Sequence, residues 1–167
     1  MRPYEGLLTA MVTPFHGDGT VNEEAAVALG RHLLANGSNG LVVGGTTGES
    51  ATLTDDELAT LVALMVGELG DEGTIVAGAG SNSTHHAVEL TERVVAAGAH
   101  AVLSVTPYYN KPNRRGLRRH FEEVARAAGD RGPQPPQHGG AEAVERGPAR
   151  GLTERPPRLP DYGHASL

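Results

Sequence analysis

Four times along the chain a short apolar run is followed by a stretch of helical period, and each handover is marked by Gly, Thr, Ser, Asn or Pro. The first run, Leu7 to Thr13, predicts a strand. Its helix begins after Asn22, whose side chain can cap it, with Glu23 and Glu24 at the positive end of the helix dipole. Ala26, Leu29, Gly30 and Leu33 fall on one face of that helix. A second strand, Gly40 to Val43, leads to a helix opened by Thr54-Asp55-Asp56-Glu57, the spacing of a capping box. Leu58, Leu61, Val62 and Met65 then repeat at helical intervals and mark its buried side. The third strand, Thr74 to Ala79, precedes Gly80-Ser81-Asn82-Ser83 and a helix that buries Ala87, Leu90 and Val94 and ends at Gly98. The fourth, Ala101 to Val105, precedes a helix through Leu117, Phe121, Val124 and Ala128 that Gly129 stops.

Repeated strand–helix units with near-continuous apolar strands imply a parallel α/β sheet covered by helices, because right-handed crossovers carry each helix over the face of the sheet. A barrel and a doubly wound sheet both satisfy the pattern. Beyond Asp130 the pattern stops. Residues 131–167 are crowded with Pro, Gly, Arg and Gln, as in Gln134-Pro135-Pro136-Gln137 and Arg155-Pro156-Pro157-Arg158, and are too poor in aliphatic periodicity to offset their ordering entropy. The expected organisation is therefore a folded unit over 1–130 and a disordered tail over 131–167. The Arg/Pro/Gly/Ala bias is that of GC-rich DNA read in a wrong frame, so a frameshift near residue 131 is one hypothesis and a Pro-rich linker the other.

Charge and composition narrow the function classes. A formal net charge of −6 and 4% aromatic residues leave no basic, aromatic-rich surface for nucleic acid. The absence of cysteine excludes disulfides and thiol catalysis. No apolar run approaches the roughly 20 residues of a membrane span, and Met1 to Glu5 lack the apolar core of a signal peptide, so the expected location is the cytoplasm. His85 and His86 are adjacent on a helix and point to different faces, outside any recognised metal-ligand spacing, and no metal is expected.

Chemistry is expected where strands hand over to helices. Gly45-Thr46-Thr47-Gly48-Glu49-Ser50 follows the second strand: its glycines let backbone approach a small anion, its amides can point at a carboxylate, and its hydroxyls can donate or relay a proton. Thr106-Pro107-Tyr108-Tyr109-Asn110 follows the fourth. Taken singly, a Gly-Thr turn can merely join a strand to a helix, and a Tyr pair can merely pack.

Together, with their order and spacing, the two motifs resemble the dihydrodipicolinate synthase branch of the class I, Schiff-base pyruvate lyases, the dihydrodipicolinate synthase/N-acetylneuraminate lyase family. The resemblance covers residues 6–130. It implies the first half of a (β/α)8 TIM barrel, four βα units in number, and a truncated member of the family. It further implies that Thr47, Gly48 and their amides hold the pyruvate carboxylate, that Thr46 belongs to a proton relay with Tyr109, and that Tyr109 is lent across a dimer interface with Tyr108 as its companion. Leu53 falls near that contact, and Thr13-Pro14 beside the barrel mouth.

The implied substrates are pyruvate and aspartate semialdehyde, joined through a lysine imine in lysine and diaminopimelate synthesis, with no metal or organic cofactor and with a homo-oligomeric intact enzyme. A lysine-feedback pocket would draw on Ser50, Ala51, Asn82 and Tyr108. Asp55, Leu58 and His86 stand where lysine-sensitive members tend to have two histidines and a glutamate, so feedback is not expected.

The departures weigh as much. The family's second relay tyrosine, the arginine after it and the Schiff-base lysine have no counterpart, and the single lysine, Lys111, sits in a polar loop between Asn110 and Pro112. The chain alone is therefore expected to be inactive. Another pyruvate-dependent aldolase or lyase of the superfamily, or a non-catalytic half-barrel that binds a partner, are the alternatives.

Overall fold

The computed structural model describes residues 6–129. The disordered tail and frameshift expected from residue 131 lie outside the described residues. Four strands and four helices alternate: β1 (Leu8–Ala10), α1 (Glu23–Ala35), β2 (Gly40–Val43), α2 (Asp55–Leu69), β3 (Thr74–Gly78), α3 (Thr84–Ala96), β4 (Ala101–Leu103) and α4 (Arg114–Ala128). The sheet is parallel throughout and its strands lie in chain order, β1-β2-β3-β4. Successive right-handed crossovers in one direction put every helix on the same face, which is half of a (β/α)8 barrel.

The caps expected from sequence set the helix starts. Asn22 accepts a bond from the Ala25 amide, and Thr54 and Glu57 close a reciprocal capping box. Ser83 and Asn113 cap α3 and α4 in the same way. At the far end of α3, Gly98 takes a φ of +97° and the Ala99 amide returns to the Val94 carbonyl, so the glycine terminates the helix.

The core lies between the sheet and the helices. Leu41, Val43, Ile75, Ala77 and Val102 point from the strands into a buried cluster with Leu58, Leu61, Met65, Leu90 and Val94. Ala26 and Gly30 are buried on α1, whereas Leu29 and Leu33 are partly buried at its border.

The strands are shorter than the apolar runs predict. β1 stops at Ala10 instead of Thr13, since after one more bond from the Met11 amide to the Val42 carbonyl the chain turns toward Pro14. β3 stops at Gly78, and β4 at Leu103 instead of Val105, although the Ala79 amide still reaches the Leu103 carbonyl. Hydrophobicity marks what is apolar; pairing ends where the partner strand turns away.

Candidate active site

The loops that follow β1, β2, β3 and β4 all leave the carboxyl ends of parallel strands and so gather at one end of the sheet. In barrels this is the end that carries chemistry. The loop after β2 is held in shape by the chain itself. Gly44 adopts a φ of +62° and Glu49 one of +57°, while the Gly48, Glu49 and Ser50 amides bond back to the carbonyls of Gly45, Thr46 and Gly45. Thr13, buried in the loop after β1, donates its hydroxyl to the Gly48 carbonyl at 2.7 Å and so ties the loops after β1 and β2 together. Within this frame Thr46 and Thr47 remain exposed. Among the described residues neither hydroxyl has a hydrogen-bond partner, so both are available to a ligand.

The loop after β4 is built differently. The Asn110 amide bonds to the Tyr108 carbonyl across a three-residue turn, which forces Tyr109 to a φ of +66°. A tyrosine in that region is strained, and strain of this kind concentrates at functional sites. Tyr109 is 92% exposed. The loop is anchored by Asn110, whose side chain exchanges bonds with the Asn82 side chain at 3.3 Å and the Asn82 carbonyl at 2.9 Å. Lys111 also has a positive φ and is exposed.

A cavity of about 760 Å³ opens between these loops. Thr46, Ser50, Ala51, Leu53, Asn82 and Tyr108 line it, and so do Asp55, Leu58 and His86. Thr47, Gly48, Tyr109 and Lys111 are not among its lining residues.

At one wall a polar chain links three elements. The Ser83 amide donates to the Ser81 hydroxyl at 3.2 Å, Ser81 lies 3.2 Å from His86 Nδ1, and His86 Nε2 meets both Asp55 carboxylate oxygens at 3.0 and 3.1 Å. The family resemblance places Asp55 and His86 in one pocket, but their direct pairing, across 31 positions, follows from no local spacing. His85, on the other face of α3, pairs with Glu89 at 3.3 Å. Among the described residues no group of three or more His, Cys, Asp or Glu side chains is placed to hold a metal. No helix among them is long and apolar enough to cross a membrane.

His120 is a buried polar residue on α4 that the apolar periodicity of the helix does not mark. It lies on the same stripe as Leu117, Phe121 and Val124, is 2% exposed, and puts Nδ1 3.0 Å from the Thr84 hydroxyl, joining α4 to the first turn of α3. Its Nε2 has no partner within hydrogen-bond distance. Burial pushes the imidazole below its ordinary value of 6.5, and the nearby Val105 backbone offsets this in part. The unfolded chain therefore binds the proton first. Stability from this group is complete above about pH 6.5 and is lost as pH falls through that value toward the lower folded-state one. Urea midpoints followed by helical circular dichroism should fall on acidification, and the fall should be smaller in His120→Gln; equal pH dependence in the two proteins would remove His120 as the cause.

The matches to known proteins agree with this architecture. Residues 3–132 match the model of the dihydrodipicolinate synthetase family. The 4-hydroxy-tetrahydrodipicolinate synthase of Acidothermus cellulolyticus is 50% identical over 127 residues, which are 76% of this chain and 41% of that protein. The crystal structure of the dihydrodipicolinate synthase of Cyanidioschyzon merolae with lysine bound superposes with a TM-score of 0.72 at 42% identity, over 75% of this chain and 43% of the other. The chloride-inhibited synthase of Acinetobacter baumannii, complexed with pyruvate, gives 0.70 at 39% identity, over 73% and 42%. The chain thus spans about two fifths of the length of these relatives. Four βα units, the two loop motifs at the carboxyl ends of their strands and the match over residues 3–132 lead to one assignment: the chain belongs to the dihydrodipicolinate synthetase family.

Proposed function

We propose that residues 1–130 carry the pyruvate-binding half of a 4-hydroxy-tetrahydrodipicolinate synthase, the enzyme that joins pyruvate to aspartate semialdehyde through a lysine imine in lysine and diaminopimelate synthesis. In this reading the amide and hydroxyl of Thr47 bind the pyruvate carboxylate, the Gly48 amide being already taken by the Gly45 carbonyl, Thr46 passes a proton toward Tyr109, and Tyr109 serves the site of a neighbouring subunit. The observation that carries it is the loop after β2. It is fixed by Thr13 and by its own turn bonds, and it presents two free threonine hydroxyls at the end of the sheet where barrel enzymes bind substrate. The outward, strained Tyr109 supports the second part, because a side chain that is 92% exposed in one chain is suited to reach into another.

The doubled threonine and the Pro107-Tyr108-Tyr109-Asn110 run favour the synthase over other pyruvate lyases of the superfamily. That the Acinetobacter baumannii relative is complexed with pyruvate supports pyruvate as the ligand. Lysine feedback is not part of the proposal. The wall of the cavity holds Asp55 and His86 already paired with each other, and Leu58 is buried beside them.

Catalysis needs an amine, and the only lysine of the sequence is the exposed Lys111. The chain by itself therefore binds and orients without turning over. Saturation-transfer NMR with pyruvate tests this half of the reading. Weak binding is expected, and Thr47→Val should reduce it about tenfold, the worth of one hydrogen bond to a charged group. Pyruvate binding that is indifferent to both Thr46→Val and Thr47→Val would dismiss the site. A non-catalytic half-barrel is the second reading, favoured by Lys111 standing outside the lining of the cavity that Thr46 faces.

A further inference from the structure

The sequence holds two Asn-Gly pairs, Asn36-Gly37 and Asn39-Gly40, both in the turn between α1 and β2. Asparagine before glycine is prone to cyclise, because the glycine nitrogen can attack the side-chain carbonyl carbon with no side chain of its own in the way. The fold treats the two pairs differently. Asn39 is locked: its Oδ1 accepts from the Leu7 amide at 2.8 Å, its own amide bonds to the Leu7 carbonyl, and its carbonyl takes the Thr74 amide. The nitrogen that would attack there belongs to Gly40, which is buried and in register with both Leu8 and Thr74.

Asn36 has the opposite surroundings. It is exposed at the C-terminal cap of α1, and the exposed Gly37 after it holds a φ of +105° with open space where a side chain would stand. The Gly37 amide makes one long bond, 3.4 Å, to the Leu34 carbonyl. Asn36 Nδ2 lies 2.8 Å from the His32 carbonyl and 3.4 Å from His32 Nδ1, so an imidazole stands against the nitrogen that would depart. The ψ of Asn36, 27°, must turn for a ring to close, and at this helix end the motion breaks only the bonds from the Gly37 and Ser38 amides back to α1.

We propose that Asn36 is a site of self-modification, deamidating through a succinimide with His32 as the acid for the departing ammonia. The Gly37 nitrogen gives its proton to solvent and bonds to Asn36 Cγ. The Cγ–Nδ2 bond then breaks, and Nδ2 leaves as ammonia with the proton that His32 Nδ1 delivers. Water opens the ring at either carbonyl to give aspartate or isoaspartate, so one amide and one water become one carboxylate and one ammonia with no oxidation. The new carboxylate sits at the negative end of the α1 dipole, and the bond from Nδ2 to the His32 carbonyl is lost. The last turn of α1 is loosened as a result. The site lies at the amino end of β2, away from the threonine loop, and is independent of whether pyruvate binds.

The full chain, held warm in neutral buffer and mapped by peptide mass spectrometry over time, tests the proposal. While helical circular dichroism reports a folded chain, Asn36 is expected to gain its single mass unit about tenfold or more faster than Asn39, whose hydrogen bonds must first be broken. In urea the two should react alike. Asn36→Gln should remove the gain at that position. His32→Gln, which cannot deliver a proton, should slow Asn36 several-fold without loss of helix; were His32 merely holding the side chain still, the same substitution would free it and the rate would rise. Equal rates at Asn36 and Asn39 in the folded chain, an Asn36 that reacts only in urea, or a rate that His32→Gln leaves unchanged or raises would each overturn the proposal.

Discussion

Incubated with pyruvate and sodium borohydride, the chain is expected to keep its mass. Borohydride traps an imine by reducing it to a stable amine, so an active member of the family would gain a lysine-linked adduct. Imine formation needs an amine freed of its proton by burial or neighbouring charge and placed against the bound ketone. Lys111 is exposed, lies outside the cavity lining, and sits on a loop whose anchor, Asn110, holds it to the third unit of the sheet and not to the threonine loop. What remains at the site is orientation and hydrogen bonding. Loss of a covalent nucleophile has cost about 10⁶ in kcat where it has been measured, so condensation should not rise above background. A pyruvate adduct on Lys111, with turnover that Lys111→Ala abolishes, would show that the loop rearranges to make a nucleophile, and the reading of this chain as inactive would fall.

The second large effect is expected at Gly78. Substituting glycine by alanine within a strand ordinarily helps, because it restricts the unfolded chain. Here the sign is reversed. A Cβ on Gly78 would fall inside the van der Waals envelope of the Gly44 carbonyl oxygen, with the Gly44 carbonyl carbon and the Gly45 amide nitrogen immediately behind it. These are backbone atoms and cannot swing aside. Gly44 already holds a φ of +62° beneath Leu58, so the strain would pass into the turn that carries Thr46 and Thr47. Gly78→Ala should cost about 3 kcal/mol, at the upper end of overpacking effects, and lower the urea midpoint by about 2 M. Gly67→Ala is the control. That glycine lies within α2 with nothing near its Cβ position, and alanine there should stabilise by about 0.8 kcal/mol, the helix-propensity difference. A Gly78→Ala protein as stable as the parent would mean that β2 and β3 separate freely at their carboxyl ends, and that the threonine loop is not held by them.

Much of the architecture was legible because its causes are local. The helix starts at Asn22 and Thr54 depend on side chains three residues from the amides they receive, and the buried faces of α1 and α2 depend on a period of 3.6. Even the loop motifs could be placed, since strand, turn and helix follow within a few residues. Strand ends were read less well. The run from Leu7 to Thr13 is apolar but for Thr9 and Thr13, yet only Leu8–Ala10 pair with β2, and nothing local records where β2 ceases to offer carbonyls.

The site shows the same division. Sequence determined that Thr46, Thr47 and Tyr109 would stand at the ends of strands, and that one exposed lysine was all the chain had to offer as an amine. Only the tertiary structure decided that Asp55 pairs with His86, that Thr84 meets His120, that Thr13 fastens Gly48, and that Gly78 is packed against Gly44. Each of these joins residues from different βα units, at separations of 31 to 36 positions for the hydrogen bonds. A residue's own neighbours fix its backbone preference and the face it presents. Which distant group it meets is fixed by the register of parallel strands, and that register exists only once the sheet has formed.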